Sequence, residues 1–111
     1  MPNNIQEILN DFLKNVQRIL GNRIKKIILY GSYARGDFNE KSDIDVMILT
    51  DLSDTEISDY SMQIWEMVAD IEIDTGIVIS PLLRNIDNFN SWIDVKPFYI
   101  NIMNEGVVLN G

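Results

Sequence analysis

An α+β fold, a small mixed β-sheet with helices packed on it, is what this sequence predicts, and three observations predict it. Two apolar runs, Ile27-Ile28-Leu29-Tyr30 and Val46-Met47-Ile48-Leu49, have the length and composition of buried strands. Two longer stretches, one after Asn4 and one after Ser53, repeat apolar residues at the helical period. The order strand, helix, strand from Val46 to Ser80 then lays a helix on a mixed sheet. A chain of 111 residues is sized for one domain, here 1–111, with room for a proper core.

Taken in order, Asn4 and Glu7 have the spacing of a capping box. Ile5, Ile8, Leu9, Phe12, Leu13, Val16, Ile19 and Leu20 then trace one face of a helix ending near Leu20. Gly21 is placed to supply its left-handed cap. Arg23 to Ile27 leads into the first strand, which ends at Gly31-Ser32. A short helix or turn around Tyr33-Ala34-Arg35 and a polar loop, including Glu40, separate it from the second strand. Ser53 and Glu56 form another capping box, and the helix they open buries Ile57, Tyr60, Ile64, Met67, Val68 and Ile71, stopping at Thr75-Gly76. Met62 and Trp65 widen that stripe as core or interface. Ile77 to Ser80 makes a third strand closed by Pro81, and Arg84 to Trp92 a loose helix or turn over a sheet edge. Pro97 opens a last helix that Gly106 ends, with Phe98, Tyr99, Ile102 and Met103 expected in the core or as a dimer contact and a short strand, Val107 to Leu109, after it.

Composition narrows the chemistry. Zero Cys and zero His leave oxygen as the metal donor and exclude imidazole as a general base. A formal charge of −8 argues against a general affinity for nucleic acid, which needs a basic face. No apolar run approaches a membrane span, and the N-terminal residues lack a basic segment followed by an apolar one, so the expected location is the cytoplasm.

The chemistry concentrates between Gly31 and Asp45. In a strand, side chains two apart share a face, so Asp43 and Asp45 point one way and Ile44 and Val46 point into the core. Two carboxylates so close repel unless a cation sits between them. Mg²⁺, which takes one or two carboxylates, waters and substrate phosphate oxygens, suits the pair. Gly31 and Ser32 let backbone approach a ligand where the chain enters a helix, and Arg35 adds a forked cation for phosphate.

The run Gly31-Ser32-Tyr33-Ala34-Arg35-Gly36, followed by Ser42, Asp43 and Asp45, resembles the nucleotidyltransferase superfamily that includes DNA polymerase β, in particular the minimal nucleotidyltransferases of bacteria and archaea. The resemblance implies that Gly31, Ser32, Arg35 and Ser42 serve nucleotide binding, and that Asp43 and Asp45 hold Mg²⁺ and are catalytic, with ATP as substrate. Many members carry a third carboxylate at the start of the third strand. Residues 75 to 83 contain no Asp or Glu, which leaves Asp74 as the nearest candidate metal ligand. Loss of that ligand would weaken the metal and remove a candidate base for the incoming hydroxyl.

Relatives of this kind are commonly paired with a small helical HEPN-type protein as antitoxin and toxin. The resemblance therefore implies a Mg²⁺-dependent enzyme moving AMP from ATP to a tyrosine of such a partner. Two other readings stay open: an enzyme acting on a small molecule, as in antibiotic nucleotidyltransferases, whose pocket a homodimer builds, and a binding module with a decayed metal site that neutralises its partner by contact.

Overall fold

A computed structural model describes residues 3–39 and 41–110; Glu40, expected as a solvated loop residue, and Met1 and Pro2 lie outside them. Helix α1 (Asn3–Leu20) leads through a short 3-10 turn to strand β1 (Ile24–Tyr30), and the short helix α2 (Ser32–Arg35) follows. Strand β2 (Ile44–Thr50), helix α3 (Asp54–Thr75) and strand β3 (Ile79–Asn85) come next, then helices α4 (Ile86–Trp92) and α5 (Pro97–Glu105) and strand β4 (Val107–Asn110). The sheet order is β3-β2-β1-β4. It is mixed, with β2 parallel to β3 and β1 antiparallel to both β2 and β4.

Each element has a local cause. The predicted stripe of α1 is its buried face: Ile5, Leu9, Phe12, Val16 and Leu20 are all at most 4% exposed. Its start differs slightly from expectation, because the helix begins at Asn3 and the Asn4 carboxamide accepts from the Ile5 N–H rather than closing a box with Glu7. Gly21 is left-handed at φ 57° as its position requires. The Ser53–Glu56 capping box forms in full, and Glu56 also takes the Arg23 guanidinium, tying the start of α3 to the start of β1.

Strand β2 lies at the centre and is covered on both faces, hence its nearly unbroken apolar sequence. Ile44, Val46 and Ile48 point to the layer formed by α1 and α3, where they meet Ile27, Leu29, Ile64 and Val68. Met47 and Leu49 point the other way, to Phe89, Tyr99 and Ile102 of α4 and α5. Asp45 belongs to this second face by parity, so α5 overlies the carboxylate end of the sheet.

Three expectations are corrected. Strand β3 does not close at Pro81; it runs through it to Asn85, with Pro81 opposite Val46, because β3 is an edge strand where a missing N–H is tolerated. Of the two readings of Met62 and Trp65, core or interface, the core reading is overturned: they are 67% and 52% exposed. On α5, Tyr99 and Ile102 are buried, but Phe98 and Met103, expected beside them, are each 46% exposed because the helix overlies the sheet with only one narrow face. Among the described residues, no helix is long and apolar enough to cross a membrane.

Candidate active site

The site begins where β1 ends. Gly31 has φ 74° and ψ −154°, a combination essentially reserved for glycine, and a Cβ built there would strike the Asp45 carboxylate. The turn therefore holds backbone against a carboxylate with nothing between them. The Gly31 carbonyl accepts from the N–H groups of Ala34 and Arg35, which opens α2 at Ser32. The first N–H groups of α2 are left without acceptors inside the helix, as at any helix start. Behind the turn, buried Tyr33 stacks on Phe38 at 4.3 Å between ring centroids and fixes α2 to the following loop.

Asp45 pairs with Tyr30 across β1 and with Ser80 across β3. Burial, and then the negative charge of Asp43, raise its pKa, while Arg35 pulls it partly back. Burial and the same Asp45 charge push the Tyr30 hydroxyl up to about 12, so it stays protonated and able to donate. Asp43 lies exposed just ahead of β2, and the Ser80 hydroxyl reaches its Oδ2 at 3.5 Å. Ser80 is thus the third-strand residue that stands beside the acidic pair.

Arg35 is held on two sides. Its Nε donates to Asp37 at 3.1 Å and its Nη1 to Glu105, at the end of α5, at 3.0 Å. The ion pair with Glu105 fastens α5 over a cleft of about 380 Å³ lined by Tyr30, Gly31, Ser32, Arg35, Asp45, Phe98, Asn101, Ile102 and Glu105. A cleft of that volume takes a small ligand such as a nucleotide.

Of the residues singled out in the sequence, Gly31, Ser32, Arg35 and Asp45 line this one cleft, and Asp43 is adjacent to it in the chain. Ser42 stands in the preceding loop, where its hydroxyl accepts from the Asn39 N–H and braces the approach to β2. Asp74 does not join the carboxylates. The Thr75 hydroxyl bonds the Ile71 carbonyl and Gly76 caps α3 at φ 77°, so the helix keeps Asp74 exposed in its last turn and the alternation of β3 never reaches it. Among the described residues no group of three acidic, His or Cys side chains gathers as a metal site. The all-oxygen donor set that remains still fits Mg²⁺, whose other positions go to water and substrate phosphate.

Sequence reasoning missed Tyr30, Ser80, Phe98, Asn101 and Glu105. The spacing of Phe98, Asn101 and Glu105 already places them on one side of α5; which part of the sheet that side overlies is a tertiary fact.

Because its ionised form is disfavoured, Asp45 has a direct test. Stability associated with the neutral carboxyl is present below the ordinary aspartate value and is lost as pH rises through the raised folded-state value. In metal-free buffer, Asp45→Asn is expected to raise the melting temperature at pH 7 by a few degrees and to give no gain near pH 3.5. Circular dichroism melts at the two pH values check this; a substitution that destabilises equally at both would show that the carboxylate is not under electrostatic strain.

Comparison with known proteins agrees with this geometry. The profile of the nucleotidyltransferase domain family matches residues 6–109. A protein of Methanocaldococcus jannaschii named "Putative protein adenylyltransferase" is 35% identical over 106 residues, covering 96% of this chain and 98% of its own. A second from the same organism, with the same description, is 34% identical over 90 residues, covering 81% and 89%. Among solved structures, a mutant of the MntA-HpeT toxin-antitoxin overlays with a TM-score of 0.55 at 18% identity, covering 92% of this chain and 72% of that one. A toxin-antitoxin crystallised with AMP-PNP gives 0.54 at 18% identity, covering 91% and 72%. With the Gly31-Ser32 turn set against the carboxylate of Asp45 and the profile spanning nearly its whole length, the chain belongs to the nucleotidyltransferase domain family.

Proposed function

We propose that this nucleotidyltransferase moves AMP from ATP to a protein hydroxyl, a tyrosine of a small helical HEPN-type toxin, and so acts as an antitoxin. The observation that carries the nucleotide half of the reading is the cleft in which Gly31, Ser32 and Arg35 stand against Asp45. The protein acceptor and the antitoxin role are supported by the description of the Methanocaldococcus jannaschii relatives and by the toxin-antitoxin neighbours.

In this reading the backbone of Gly31 and Ser32 takes the triphosphate, Arg35 exchanges a carboxylate for a phosphate oxygen, and Asp43 and Asp45 hold Mg²⁺. The bound ion supplies positive charge where the phosphates develop negative charge. The acceptor oxygen bonds to the α-phosphorus as its bond to pyrophosphate breaks, and the hydroxyl releases its proton. Tyr30, opposite Asp45 across the β1–β2 pair, stays protonated and adds no charge to the site.

The test is transfer of label from α-labelled ATP with Mg²⁺ to a co-expressed HEPN-type partner, followed by mass spectrometry of the modified residue. AMP on a partner tyrosine is the expected product. That Ser80 and, among the described residues, no third carboxylate stands beside Asp43 and Asp45 favours a second reading in which the chain neutralises its partner by contact alone. A tight complex with no label transferred would select it.

A further inference from the structure

The cleft is lined by charged Arg35, Asp45 and Glu105 and by uncharged Tyr30, Phe98, Asn101 and Ile102. Along helix α5, Phe98, Asn101 and Glu105 fall at i, i+3 and i+7, so one side of the helix passes from an aromatic ring through a carboxamide to the carboxylate that holds Arg35. At 1.5 Å per residue, Phe98 and Glu105 are about 10 Å apart along the axis. That is of the order of the span from a nucleotide's phosphates to its base.

From this arrangement we infer that Phe98 and Asn101 form the nucleoside subsite, Phe98 stacking on the base and Asn101 reading its edge; the inference rests on the nucleotide reading above. The Phe98 ring is buttressed by Tyr30, edge-on at 5.7 Å between centroids and 81° between planes, yet remains 46% exposed on the wall of the cleft. A ring braced on one side and open on the other is a stacking platform. One helical turn on, Asn101 is exposed and lines the same cleft. A carboxamide can donate and accept at once, which matches the N6 amino group and N7 of adenine, whereas the same edge of guanine, O6 and N7, offers two acceptors. Reading that edge, the subsite selects adenine.

Calorimetric titration with Mg²⁺ tests this, using ATP, GTP and inorganic tripolyphosphate on the unmodified chain and on Phe98→Ala, Phe98→Trp and Asn101→Ala. Both positions are exposed, and circular dichroism confirms the fold of each variant. Stacking of about 1–3 kcal/mol per base corresponds to about a fivefold to hundredfold loss of ATP affinity in Phe98→Ala, with tripolyphosphate unaffected and ATP binding retained in Phe98→Trp. Asn101→Ala is expected to bring the ATP and GTP affinities together. ATP binding unchanged in both alanine variants, with tripolyphosphate still bound, overturns the subsite and leaves the phosphate site standing. If the unmodified chain binds neither ATP nor tripolyphosphate, the phosphate site itself fails and the subsite with it.

Discussion

Replacing both Asp43 and Asp45 by Asn is expected to lower AMP transfer by about a thousandfold or more while the fold persists, the scale set by several kcal/mol of lost charge stabilisation on the phosphates. Asn keeps the size of each side chain and a carbonyl oxygen, so packing is preserved. What disappears is the negative charge that makes a divalent ion the natural occupant. The single Asp45 change should already produce most of the loss, because Asp45 lines the cleft whereas Asp43 stands exposed at its margin. Single-turnover transfer with saturating ATP separates this from weakened binding. A double variant that transfers AMP within tenfold of the unmodified chain would remove the acidic pair from the mechanism. Set beside the stability gain expected of Asp45→Asn alone, the result would describe a residue retained for chemistry at a cost to the fold.

Gly31→Ala is the second large effect, and it strikes fold and site together. The backbone there has φ 74° and ψ −154°, which costs a non-glycine residue about 1–3 kcal/mol, and the new methyl would also collide with the Asp45 carboxylate. Either the turn changes shape or Asp45 moves, and both disperse the cleft. Urea denaturation should show a loss of about 2–4 kcal/mol, combining backbone strain with overpacking, and ATP titration should show at least a tenfold loss of affinity. Gly36 offers a control. It too is left-handed, at φ 85°, but its Cβ would meet open space, so Gly36→Ala should carry strain alone and spare nucleotide binding. Equal effects at the two glycines would mean that the approach of Asp45 to the turn is unimportant.

Why some of this was legible in the sequence is a matter of range. Asp43, Asp45 and the Gly31-Ser32 turn were readable because strand alternation and a glycine-specific turn are local rules, and β2 announced its central place by being apolar on both faces. Pro81 misled because a proline ends a central strand but not an edge strand, and which strand lies at the edge is settled by pairing. Phe98 and Met103 misled for a related reason: helical phase tells which residues share a side, not how much of that side the sheet covers. Arg35 could be recognised as a cation near phosphate, but its partner Glu105 stands seventy residues away and only the folded chain brings the two together.

The pairing of β1 also has a consequence for synthesis. One neighbour of β1 is β2, close behind it in the chain, and the other is β4, far downstream. Until Val107–Asn110 emerges from the ribosome, the hydrogen-bonding groups along one margin of β1 have no partner within the chain and are open to pairing with another nascent molecule. Helix α5, which walls the cleft and fastens Arg35, packs on the face of the sheet and leads directly into β4, with Gly106 so tight against Ile28 and the Ile102 carbonyl that no larger residue fits. Removal of Val107–Asn110 is consequently expected to loosen the wall of the cleft and to weaken nucleotide binding.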